Sequence, residues 1–74
     1  MYVKPKQFKK RLVDLGLTQI DVAKELKLSL PYTSNMINAR KRVDIDRRLI
    51  MIKLLGYEPK DIRKFFTRKE PELL

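Results

Sequence analysis

Neither cysteine nor histidine occurs among the 74 residues of the chain. Without thiols there is no disulfide, thiolate nucleophile or zinc-thiolate site, and without imidazole the usual metal ligand and neutral-pH proton shuttle are missing. Asp and Glu are present, but no spaced pair or cluster of them recommends a catalytic site, so an enzyme is not expected and no cofactor is implied. Long apolar runs are missing too. None approaches the roughly 20 residues needed to cross a bilayer, and the start Met1-Tyr2-Val3-Lys4-Pro5-Lys6 lacks the apolar segment of a signal peptide. A cytoplasmic protein without a membrane partner is the expectation.

Acidic charge is scarce relative to basic: 9 Asp and Glu stand against 18 Lys and Arg, a formal net charge of +9. Such a balance favours a polyanionic partner, because each neutralised phosphate releases condensed counterions. The excess is uneven. Residues 1–16 carry +4, residues 17–38 are neutral, residues 39–48 carry +3 and residues 49–74 carry +2. Basic segments flanking a neutral one suit a protein whose edges grip phosphates while its centre meets base edges. A merely solvated basic surface would have the same total charge, so the segments need structural meaning before the pattern counts.

Glycine occurs only at Gly16 and Gly56, each after an apolar periodic stretch where a helix end needs a left-handed residue. Before Gly16, Phe8, Leu12 and Leu15 share a helical stripe behind Pro5, predicting a first helix over Pro5–Leu15. Thr18 and Asp21 form a shortened capping box that starts a second helix, with Val22, Ala23 and Leu26 inward. Ser29 caps a third helix over about Leu30–Asn38, in which Pro31 occupies a first-turn position that needs no intrahelical donor. After an irregular basic stretch from Ala39 to Val43, Asp44 caps a fourth helix with Ile45, Leu49, Ile52 and Leu55 as its core stripe. Glu58-Pro59 opens a short fifth helix whose stripe is Ile62, Phe65 and Phe66, and no strand pattern competes. The expected fold is all-α: one compact bundle of four to five short helices over residues 1–66, with a partly ordered tail at 67–74.

Two short helices joined by a tight turn, the second rich in small polar residues, make the helix-turn-helix pattern. In particular, Leu17-Thr18-Gln19, Ala23, Leu26, Leu28-Ser29, Ser34 and Met36, then a basic loop, Asp44-Ile45 and Leu54-Leu55-Gly56, resemble the lambda-repressor-like (Cro/C1-type, XRE) DNA-binding family. The resemblance covers about residues 7–57. The chain departs from the family at Lys27 and Ala39, where glycine is usual, and at Thr33, where a branched apolar residue is usual.

The resemblance implies that the start of the third helix enters the major groove, with Leu30, Pro31, Ser34 and Asn35 at base-reading positions and Gln19 and Asn38 at phosphate-binding ones. Asn35 has the chemistry for the task, since its amide can pair in bidentate fashion with adenine. Leu30 and Pro31 have no side-chain donors and can read only thymine methyls or shape. Tyr32 has two readings, a base or backbone contact and a half-buried packing residue. Arg40, Lys41 and Arg42 supply phosphate contacts from the loop; Lys9, Lys10 and Arg11 form a second basic cluster that is equally a solvated helix face.

The fourth helix has more apolar surface than one stripe requires, and Met51, Leu54, Phe65 and Phe66 are the candidates for a homodimer interface. The functional expectation is a nucleoid-associated repressor that occupies a double-stranded operator, an inverted repeat, as a homodimer. Any regulation would come through concentration or a separate regulatory protein. The alternative is a protein-interaction module such as an antitoxin or an antirepressor-bound regulator, with Phe65-Phe66 as its working surface.

Overall fold

The computed structural model describes residues 1–69. Helices make up 62% of the described residues. They are α1 (Pro5–Leu15), α2 (Gln19–Leu26), α3 (Leu30–Ile37), α4 (Ile45–Leu54) and a 3-10 helix over Pro59–Lys64.

The first three follow their sequence signals closely. On α1, Phe8 and Leu12 are buried; Leu15, expected on the same stripe, is exposed. Gly16 ends the helix at φ 69°, and the Leu17 amide then donates back to the Leu12 carbonyl at 2.9 Å, bringing Leu17 against the core in place of Leu15. At the start of α2 the capping box is complete: the Asp21 amide donates to the Thr18 hydroxyl, and the Thr18 amide donates to the Asp21 carboxylate at 2.8 Å. That backbone donation, with a second from the Thr18 hydroxyl, holds the Asp21 carboxyl below its ordinary pKa. Val22, Ala23 and Leu26 are buried as expected.

Three residues, Lys27 to Ser29, separate α2 from α3. Lys27 takes the left-handed conformation, φ 57°, so that its own amide and that of Leu28 can bond the Lys24 and Ala23 carbonyls. A side chain in that region costs about 1–2 kcal/mol. Lys27→Gly should therefore raise stability by about 1 kcal/mol, or about 4–8 °C in melting temperature. A thermal melt showing no gain would mean that the strain is relieved elsewhere.

On α3, the Ser29 hydroxyl accepts from the Tyr32 amide, and Thr33, Met36 and Ile37 are buried. Thr33 occupies an apolar site at no hydrogen-bonding loss, because its hydroxyl donates to the Ser29 carbonyl at 2.9 Å. Ala39 then turns the chain at φ 62°, with its methyl buried.

From α4 onward the sequence expectations need correcting. Asp44 occupies the N-cap position, but its carboxylate turns to Arg47 at 3.2 Å and makes no cap hydrogen bond. The buried residues near the helix are Met51, Ile52 and Leu55, whereas Ile45 and Leu49 are exposed. The fifth helix is 3-10 and stops before the two phenylalanines. Phe66 lies instead in a two-residue strand, β2 (Phe66–Thr67), antiparallel to β1 (Tyr2–Val3), with Tyr2 opposite Thr67 and Val3 opposite Phe66. The Lys4 amide extends this ladder by donating to the Phe65 carbonyl at 2.6 Å. The ladder folds Phe65 and Phe66 over Phe8, which meets both edge-on at ring separations of 6.4 and 6.5 Å. Val3, Phe8 and Phe66 thus join the α2, α3 and α4 side chains in one core. The unit includes Thr67, one residue beyond the expected boundary; residues 70–74 of the expected tail lie outside the described residues.

Candidate nucleic-acid interface

The burial of Thr33, Met36 and Ile37 fixes the orientation of α3. At 100° per residue, Leu30, Pro31, Ser34, Asn35 and Asn38 then fall together on the opposite side of the helix. Leu30 and Pro31 are exposed, while Ser34, Asn35 and Asn38 are half-buried. The four residues expected to read bases therefore share one face, apolar at its N-terminal end and amide-bearing one turn later.

The basic stretch Arg40, Lys41 and Arg42 follows α3, and neighbours hold each of its side chains. The Arg40 amide donates to the Asn35 carbonyl at 2.8 Å, and its guanidinium reaches the Asn35 Oδ1 at 3.5 Å. Lys41 lies over the Tyr32 ring, 5.0 Å from its centroid. Arg42 lies over the Tyr2 ring and donates to its hydroxyl at 3.3 Å. The Val43 amide donates to the Met1 carbonyl at 2.8 Å, which anchors the loop to the first strand. Burial, with Arg48, Arg42 and Arg68 nearby, lowers the pKa of the Met1 amino group.

Some side chains have roles other than those expected. The Asn38 amide is occupied within the chain: Nδ2 donates to the Ser34 carbonyl and hydroxyl, and Oδ1 accepts from the Lys9 ammonium. Asn38 therefore caps α3 and holds Lys9 beside it, and Lys9 becomes the cation of α1 that adjoins the α3 face. Arg11, from the same basic cluster, points elsewhere, donating to the Leu55 carbonyl and lying over Tyr57. Tyr32 is half-buried against the core, and its ring carries Arg47 as well as Lys41, at 5.6 and 5.0 Å. Its packing reading fits better than direct contact with a base. Gln19 stands at the first position of α2, half-buried and with no side-chain hydrogen bond among the described residues; the Asp21 carboxylate in the same first turn weakens that helix end as an anion site.

Lys9 belonged to the second basic cluster, whereas Tyr2 and Arg47 were not candidates in the sequence and no local pattern marks them. Lys9 meets Asn38 across 29 positions and Tyr2 meets Arg42 across 40, so only the tertiary fold joins them. Three of the side chains expected at a dimer interface are interior: Met51, Phe65 and Phe66 are buried within the single chain, and only Leu54 remains partly accessible. The same burial removes Phe65-Phe66 as the working surface of a protein-interaction module.

Among the described residues there is no group of three acidic side chains placed to hold a metal ion, and no helix long and apolar enough to cross a membrane. No family model, curated protein or solved structure matches the chain.

Proposed function

We propose that α2, the Lys27–Ser29 turn and α3 act as a helix-turn-helix of the lambda-repressor-like kind. On this reading the chain is a small repressor that binds an inverted-repeat DNA operator as a homodimer, associates with the nucleoid and blocks transcription by occupancy. The observation that carries the reading is the junction of Asn35 with Arg40, where the best base-reading amide on the α3 face is held by the first cation of the basic loop.

This arrangement suits adenine. With the Arg40 guanidinium on one lone pair of Oδ1, the other can accept from the N6 amine while Nδ2 donates to N7. Leu30 and Pro31 at the leading end present only carbon to the groove, which fits thymine methyls. Lys9, Arg40, Lys41 and Arg42 supply the sequence-independent attraction to phosphates on either side.

Selection of bound duplexes from a random pool tests the reading directly. An enriched inverted repeat containing a conserved adenine supports it; an absence of enrichment refutes it. Within an enriched site, Asn35→Ala should cost about 1–3 kcal/mol of discrimination at one base pair. Affinity for unrelated DNA should barely change. Equal loss on every sequence would remove Asn35 as a reader.

A further inference from the structure

The chain leaves one face of α4 uncovered. Ile45, Leu49 and Ile50 are 50%, 37% and 40% exposed, and Leu54 beside them is half-buried. Of the seven large apolar side chains exposed among the described residues, Ile45, Leu49 and Ile50 share one face of a single ten-residue helix and make a row, whereas the others are spread over α1 to α3. Asp46 and Lys53 are also exposed and occupy the middle of the face, two turns or about 10.5 Å apart. Neither has an ion-pair partner among the described residues. Glu25 of α2 lines a hollow with Ile50, Lys53 and Leu54, yet makes no ion pair with Lys53.

The order of these residues has its own symmetry. Reading forward gives Ile45-Asp46, then Leu49-Ile50, then Lys53-Leu54; reading backward gives the same chemical types with the charges exchanged. A two-fold axis beside the helix, level with the midpoint of Leu49 and Ile50, therefore brings each charge level with the opposite charge and each apolar side chain level with another. Asp46 of one copy meets Lys53 of the other, twice. Leu49 and Ile50 meet their own counterparts around the axis, and Ile45 lies level with Leu54 of the second copy at each end. A parallel arrangement would instead bring Asp46 beside Asp46 and Lys53 beside Lys53.

We infer that the outer face of α4 binds a second copy of this chain, antiparallel, through an apolar centre and two symmetric Asp46–Lys53 ion pairs. The contact is isologous, so it closes at two copies. The inference deepens the dimeric repressor proposed above and rests on it for its purpose, but its test needs no DNA.

Sedimentation equilibrium of the whole chain should give twice the 8.9 kDa chain mass. Asp46→Lys and Lys53→Asp should each weaken the dimer about tenfold or more, because both pairs become like-charged. The double variant D46K/K53D should recover it, and an equimolar mixture of the two single variants should form the mixed dimer. Both side chains are exposed, so far-UV circular dichroism should stay unchanged. A monomeric wild type, or single reversals that leave the dissociation constant unchanged, would overturn the inference. Duplex selection separates it from the DNA reading. If charge reversal dissociates the dimer but the wild type enriches no sequence, this interface stands and the repressor reading fails. If the wild type enriches inverted repeats and reversal changes neither binding nor mass, the copies meet elsewhere and this inference fails.

Discussion

Phe8→Ala is expected to cost about 3–5 kcal/mol, the range for emptying a fully packed aromatic site. A domain of this length holds only about 4–11 kcal/mol in all, so the variant should be largely unfolded or lie close to its midpoint. The loss is large because Phe8 is completely buried and packs edge-on against both Phe65 and Phe66. Those rings cannot follow it inward, since the backbone on either side of them is tied to β1 and Lys4. Urea denaturation followed by circular dichroism reads the effect. Val13→Ala, altering an exposed site on the same helix, should stay within about 0.5 kcal/mol of wild type. A Phe8→Ala loss below about 1 kcal/mol would mean that the two phenylalanines do not close over α1, since such a loss is too small for a filled aromatic cavity.

The second large effect concerns binding. Replacing Arg40, Lys41 and Arg42 together by Gln should lower the dependence of log affinity on log salt by about 2.7, at about 0.9 for each lost phosphate contact. At low salt this is a loss of orders of magnitude, shared by specific and unrelated DNA, because phosphates carry no sequence information. Within the trio the members differ. Lys41 and Arg42 rest on Tyr32 and Tyr2, so changing them alone should leave discrimination untouched. Arg40 also bonds Asn35, and Arg40→Gln should loosen sequence preference along with overall affinity. An unchanged salt slope in the triple variant would show that the loop does not touch the DNA backbone.

The parts of the fold that sequence patterns predicted best are those governed by neighbours a few positions apart. Thr18 with Asp21, Ser29 with Tyr32, and Gly16 each act within one helical turn, and α1 to α3 begin and end where those residues suggest. On α4 the spacing of apolar residues was ambiguous, since Ile45, Leu49, Ile52 and Leu55 on one side and Ile50, Met51 and Leu54 on the other both form helical rows. Which row is covered depends on partners far along the chain, and Met51, Ile52 and Leu55 proved to be the buried set. The pairing of β1 with β2 was illegible for a simpler reason: two residues are too few to show alternation. At the candidate interface, Leu30, Pro31, Ser34 and Asn35 came from the family resemblance, and the burial of Thr33, Met36 and Ile37 leaves them on one face of α3. The link from Lys9 to Asn38 and the seating of Lys41 and Arg42 on tyrosines required the folded chain.

The β1–β2 clasp also sets an order of events. Helices close contacts over a few residues, whereas the clasp joins Val3 to Phe66 and must close a loop of most of the chain. As the polypeptide leaves the ribosome, α1 can coil early, but Phe8 stays wet until Phe66 has emerged. Stable folding therefore waits for translation to pass that residue. A stalled product that ends short of Phe65 should expose α1 to proteases, even with α2 and α3 fully made.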